Sequence, residues 1–198
     1  MTHFFTLVLV PATTEPEDIK KVVIRLLAPF DVKRPVAPYK VYLTGQDREH
    51  LAARYGVPAD KLAPFLLQSR QGWREDEHGL YRLTTANPQA RLDSCKIGGR
   101  WNGALRPSSH GKRAVFPGGD KYERFAGNVL PVKLVRQPDH NPICHALVTP
   151  DGEWHERGTA GWWGVLSNEK DENEWDREVA AIFQRYQDHL LVGVDCHI

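Results

Sequence analysis

Sulfur is scarce in this 198-residue chain, which carries three cysteines and one methionine. An odd, sparse set of cysteines builds no disulfide framework and predicts a reducing compartment. Long apolar runs are missing as well. The longest, Phe4 to Val10, is broken by Thr6 and falls far short of the ~18 residues that cross a bilayer. No basic stretch precedes it and no small-residue cleavage site follows, which predicts no signal peptide and a soluble, cytoplasmic protein without a membrane partner. Net charge is nearly absent too, at +1 from 26 basic and 25 acidic side chains. What is present is core material. Hydrophobic residues make up 41% of the chain, with six Trp, six Tyr and seven Phe, which excludes intrinsic disorder. A chain of this length forms one domain, or one domain with a large insertion, and buries ~70% of its unfolded surface without help from disulfide or metal.

The two ends carry the clearest patterns. Phe4 to Val10 is apolar and β-branched on both parities, as in a strand covered on both faces. Thr14 and Glu17 have capping-box spacing with Pro16 between them, and Ile19, Val22, Val23, Leu26 and Leu27 follow at helical spacing up to Pro29. A second helix is predicted from Gln46 to Tyr55, with Thr44 as cap and Gly56 beyond its end, and a short third one after Pro58. Toward the other end, Ile143 to Thr149, the turn Pro150-Asp151-Gly152 and Glu153 to Glu156 predict a hairpin. Trp175, Val179, Ile182, Phe183 and Tyr186 place an amphipathic helix over 172–186, and Leu190 to Val194 is the last strand. The order β, α, hairpin, α, β predicts an α+β fold of the ferredoxin-like, split βαβ type. Its first and last strands would be adjacent in an antiparallel sheet, with both helices on one face. The other face would be covered by an irregular insertion over 31–142, within a single domain spanning 1–198.

That middle stretch hides a charge asymmetry. Residues 91–124 hold eight basic side chains against three acids, whereas 151–188 hold ten acids against four basic residues. The basic segment either meets an anion or lies against the acidic helix of its own chain. Within it, Ile97-Gly98-Gly99-Arg100-Trp101-Asn102-Gly103 combines glycines that permit close approach, a planar guanidinium and a stacking face. Successive turn amides can form an anion-binding nest, so Gly98, Gly99, Arg100 and Trp101 are candidate ligand-binding residues. The alternative is a tight structural turn, with Trp101 plugging the core and Arg100 pairing a carboxylate such as Asp93. The stretch is neither a phosphate loop nor a dinucleotide fingerprint.

This motif, with Asn87-Pro88-Gln89-Ala90-Arg91 and Asp93 before it, resembles the signature of a family of small uncharacterised proteins from phages and bacteria. Leu27 to Asp31, Thr149 to Glu156 running on to Gly161-Trp162-Trp163-Gly164, and the closing Val194-Asp195-Cys196-His197-Ile198 are similar to the same family. The resemblance implies shared fold and origin and brings no activity. Leu92 and Ser94-Cys95 stand here where that family has aromatic residues around the aspartate.

Cys144-His145, His155 and Cys196-His197 invite a metal reading. Strand neighbours point to opposite faces, and no zinc spacing is present. A two-residue turn would pair Val148 with His155 and leave His155 about 13 Å along the strand from Cys144. No metal and no cofactor is expected. On the last strand, Leu190, Val192, Val194 and Cys196 share one parity, with Cys196 read as core. Asp195 and His197 share the other, where a carboxylate can orient an imidazole for acid–base work. His155, Asp195 and His197 are therefore the candidate catalytic residues. Trp162-Trp163 reads as a core cap or an exposed aromatic platform.

The expected function is binding of an anionic, nucleotide-like ligand between the sheet and the Gly-Gly-Arg-Trp turn. One alternative is a phosphoester or nucleotide hydrolase using His and Asp. Another is a phage-type accessory that binds and inhibits a host protein. Nucleic acid is the less favoured partner.

Overall fold

A computed structural model describes residues 2–106, 125, 127–135, 144–160 and 166–198. In chain order its elements are β1 (His3–Val10), α1 (Ile19–Leu27), β2 (Tyr39–Tyr42), α2 (Gly45–Tyr55), α3 (Leu62–Gln68), β3 (Trp73–Asp76), β4 (Gly79–Thr84) and β5 (Ser94–Ile97). They continue with β6 (Val129–Pro131), β7 (Ala146–Val148), β8 (Trp154–Glu156), β9 (Thr159–Ala160), β10 (Leu166–Ser167), α4 (Glu172–Arg185) and β11 (Leu190–His197). The fold is mixed α+β, with four α-helices among the described residues. It divides into two compact units, Met1–Arg34 with Gln89–Ile198, and Pro35–Pro88. The stretch expected as one insertion over 31–142 is thus shared between them.

The first unit is built on a sheet of order β5-β11-β1-β7-β8, with β6 also pairing β11. β1 and β11 are antiparallel over eight residue pairs, from His3↔His197 to Val10↔Leu190, so the first and last strands are neighbours as expected. The split βαβ expectation is corrected at the next strand. β1 pairs β7 in parallel, Thr6↔Ala146 to Val8↔Val148, and the sheet is mixed rather than antiparallel. The two helices also lie on opposite faces. α1 packs Ile19, Val23, Leu26 and Leu27 with Phe4, Val8, Val10, Val192, Val194 and Cys196. α4 packs Trp175, Val179, Ile182 and Phe183 with Phe5, Leu7, Leu9, Leu147 and Leu191. The reason is the apolar run in β1: both parities are buried, and each such side chain gains about 1.5–3 kcal/mol only if a layer covers it. The buried Trp175 Nε1–H donates to the Cys144 carbonyl at 2.9 Å and sets the seat of α4.

Two local expectations shift. α1 starts at Ile19 behind Asp18, which makes no side-chain cap, so the predicted Thr14/Glu17 capping box does not start this helix. The β7–β8 hairpin pairs Val148 with Trp154 and Leu147 with His155, one residue out of the expected register. The loop is longer than two residues: the Thr149 N–H donates to the Glu153 carbonyl, and the Glu153 N–H to Thr149 Oγ1. A one-residue slip moves every side chain to the other face.

The second unit is a three-stranded antiparallel sheet of order β2-β4-β3, with Leu80 and Trp73 packed among Ala52, Leu62 and Leu66 of α2 and α3. Thr44 caps α2 through a reciprocal box with Asp47, and Gly56 ends it at φ +64°.

Candidate functional site

The end of the β1/β11 ladder carries two histidines and two carboxylates. Register places His3 directly opposite His197, with Asp195 one diagonal step away on the same face. The sequence pairing of Asp195 with His197 is corrected here. His3 Nδ1 bonds Asp195 Oδ1 at 2.9 Å, while His197 Nδ1 bonds Asp93 Oδ1 at 2.8 Å. The imidazoles meet edge-on with centroids 4.7 Å apart. A carboxylate only accepts, so each Nδ1 carries the proton and each Nε2 presents its lone pair or a second proton. Among the described residues no polar group bonds either Nε2.

Each carboxylate is held in turn. Asp93 Oδ1 also accepts from Ser94 Oγ at 3.0 Å, and the Asp93 carbonyl accepts from Lys33 Nζ at 2.8 Å. The hydrogen bond from His197 holds the Asp93 carboxyl below its ordinary range. Asp195 is 7% exposed, and its Oδ2 accepts the Arg100 backbone N–H at 3.0 Å. The glycine turn therefore spends one backbone N–H, that of Arg100, on the protein's own Asp195, while the Gly98 and Trp101 N–H groups bond backbone carbonyls. Gly99, at φ +52°, lies so close that an added Cβ would fall 2.3 Å from Asp195 Cβ. Gly98, at φ +74°, stands against Asn128 in the same way, and Asn128 Oδ1 accepts from the Gly103 N–H at 2.7 Å.

Trp101 stacks on Phe5, 5.5 Å between centroids and 27° between planes, over the space left by Gly193, where a Cβ would meet the Phe5 ring. One Trp101 face thus belongs to the core. The Arg100 side chain is exposed, and among the described residues no carboxylate pairs with it; Asp93 is engaged by His197 instead. Lys112, Arg113, Lys121, Arg124, Trp162 and Trp163 lie outside the described residues.

His155 does not join this group. The slipped hairpin turns it toward α4, where Nδ1 bonds Glu178 Oε1 at 2.8 Å. β7 and β1 separate its strand from β11, roughly 14 Å across the sheet. Burial pushes the Glu178 carboxyl upward, but hydrogen bonds from Lys170, at 2.6 Å, and from His155 outweigh it and leave the carboxyl below its ordinary range. His155 also lines an open cavity of about 610 Å³ with Phe30, Arg91, Trp154 and Glu156, where Arg91 Nε is already paired to Glu156 at 3.2 Å.

Cys196 is fully buried on the α1 face, and burial pushes its thiol up to about 12. Cys144 is likewise pushed up to about 12 by burial. Neither supplies a thiolate near neutral pH. Among the described residues no cluster of three His, Cys, Asp or Glu side chains could hold a metal ion. No described helix is long and apolar enough to cross a membrane.

His3 and Asp93 were missed as site residues in the sequence. His3 had a usable signal: pairing the first and last strands end to end places it opposite His197. Asp93 had none, because β5 joins the sheet from a distant part of the chain. The chain matches no protein-family model, no curated protein and no solved structure.

Proposed function

We propose that this chain binds an anionic phosphoester at the β1/β11 end of its sheet and cleaves it by acid–base chemistry, with His3 and His197 as the reacting pair. One observation carries the reading: two imidazoles stand edge-on at 4.7 Å, each with Nδ1 tethered to its own carboxylate and Nε2 left for a ligand. One neutral ring takes the proton of an attacking water. As the new P–O bond forms and the old one breaks, the other ring, protonated, gives its Nε2 proton to the leaving oxygen. Water is the nucleophile because burial raises the neighbouring Cys196 and Cys95 thiols, which pack on the α1 side of the sheet, and Ser94 Oγ donates to Asp93. Asp93 and Asp195 act as positioning residues, and the exposed Arg100 supplies a guanidinium for the phosphate.

The test is hydrolysis of bis(4-nitrophenyl) phosphate, a small phosphodiester. His3→Ala and His197→Ala are each expected to lower kcat by about 10²–10⁴-fold with the thermal midpoint retained. Arg100→Ala is expected to raise KM. The pH–rate profile should be bell-shaped, since one acid and one base are needed. Turnover that survives the double variant His3→Ala/His197→Ala, or a wild-type protein inert toward phosphodiesters, overturns the reading. In this reading Arg100 is the anion contact, while one face of Trp101 is taken up by Phe5.

A further inference from the structure

The second unit carries a sheet face that its own helices leave open. Direct register aligns Tyr42, Tyr81 and Arg74 in one row across its three strands, with Lys40 and Leu83 in the next row. The opposite face bears Trp73 and Leu80, packed with α2 and α3. On the open face the Tyr42 and Tyr81 rings lie 5.6 Å apart, and Lys40 Nζ sits 4.6 Å over the Tyr81 ring. Lys40, Arg74 and Leu83 are exposed, Leu83 by 47%. Asp76 binds Lys40 Nζ at 2.5 Å and the Tyr42 hydroxyl at 2.9 Å, fixing both where they stand. Among the described residues no carboxylate pairs Arg74.

We propose that this Tyr42–Tyr81–Arg74 row binds single-stranded nucleic acid, two bases stacking on the tyrosines and a phosphate seated on Arg74. Any base offers a π-face to a ring, so such a platform works without sequence readout, and an exposed guanidinium beside it tracks the backbone. The Tyr81 ring is covered on this side by the exposed Lys40 ammonium rather than by core, and a stacking base takes that cation's place. Among the described residues Leu83 is the exposed aliphatic side chain aligned on this face.

Duplex is not the ligand this unit fits. α2 and α3 are linked by residues 56–61, which include a 3-10 turn at Ala59–Lys61, as two consecutive helices. Yet α3 exposes Pro64, Phe65 and Leu67, which carry no donors or acceptors for base edges, and a single Gln68 at its last position that does. The β3–β4 hairpin adds Glu75, Asp76 and Glu77 beside Arg74, which oppose any phosphate backbone, single or double, so stacking rather than charge supplies most of the affinity.

The inference stands on the second unit alone and does not need the histidine pair to be catalytic. Its test is fluorescence anisotropy of the full chain with a labelled single strand of about 12 nucleotides, as RNA and as DNA, and with the matching duplex. Both single strands are expected to bind more tightly than the duplex. Tyr81→Ala should weaken binding roughly 5–150-fold, and Tyr81→Leu, which keeps apolar bulk, should weaken it as well. Tyr42→Phe, which retains the ring, should bind like wild type. Arg74→Ala should reduce the salt slope by about one phosphate contact. Preference for duplex, no binding at low salt, or unchanged binding in a folded Tyr81→Leu protein overturns it. His197→Ala should leave strand binding intact, and Tyr81→Leu should leave hydrolysis of the small phosphodiester intact, so the two proposals fail separately.

Discussion

Two histidine sites in the first unit share their chemistry and differ in their surroundings. At the β1/β11 end, His3 and His197 each give Nδ1 to a carboxylate and keep Nε2 unbonded by any described residue. On β8, His155 also gives Nδ1 to a carboxylate, but Glu178 is shared with Lys170, and His155 Nε2 is buried with no hydrogen-bond partner, 3.6 Å from Glu153. The first arrangement leaves two Nε2 atoms that no described residue bonds. The second ties α4 to the hairpin. An imidazole–carboxylate pair is thus a catalytic candidate only when its far nitrogen has somewhere to send a proton.

Kinetics gives the largest separation between the two. His155→Ala should leave phosphodiester turnover within about twofold, against the 10²–10⁴-fold loss expected for His197→Ala. An equal loss in both, with the fold intact, would erase the distinction.

Glycines sharpen the same contrast in stability. Gly99 and Gly152, the latter in the hairpin loop beside β8, both have positive φ, but an added methyl meets Asp195 at Gly99 and open space at Gly152. Gly99→Ala should cost about 1–3 kcal/mol or more through overpacking and backbone strain. Gly152→Ala should cost about 1–2 kcal/mol from backbone alone. Urea midpoints of the two variants check the order, and phosphodiester turnover should fall only in Gly99→Ala.

Titration provides the smallest effects. Asp93 and Glu178 are both held below their ordinary ranges, so each contributes stability that is complete above its unfolded value and is lost as pH falls through the folded one. Stability should decline from about pH 4.5 downward, Glu178 acting first because its ordinary value is higher. Glu178→Gln should flatten the upper part of that decline and Asp93→Asn the lower part. The raised thiols act with opposite sign: Cys144 and Cys196 stabilise fully below about pH 8.5, and the contribution falls as pH rises toward about 12. Thermal melts across both ranges measure this.

Much of the secondary structure was readable because its signals are local. Thr44 with Gly56 bounded α2, and the spacing of Trp175, Val179, Ile182 and Phe183 marked the buried face of α4. The alternation in β11 correctly separated Cys196, in the α1 layer, from Asp195 and His197. The neighbours of those side chains were not readable. Asp195 looked like the partner of His197, two residues away on one strand, but the cross-strand His3 reaches it first and β5 delivers Asp93 to His197. His155 was grouped with Asp195 and His197; the register puts it on the α4 side of the sheet as they are, but β7 and β1 stand between its strand and β11.

Local periodicity and capping, written in consecutive residues, were enough to mark the two end strands, the hairpin, the helices and the parities of β11, but not the strands β2 to β5 inside the stretch read as an irregular insertion. Tertiary structure alone decided strand order, hairpin register and the facing of α1 and α4. The physical reason is that a ladder of backbone hydrogen bonds is nearly indifferent to which apolar strand it joins, so partners are settled by packing among residues far apart in the chain. The two histidine–carboxylate pairs exist only after that choice has been made.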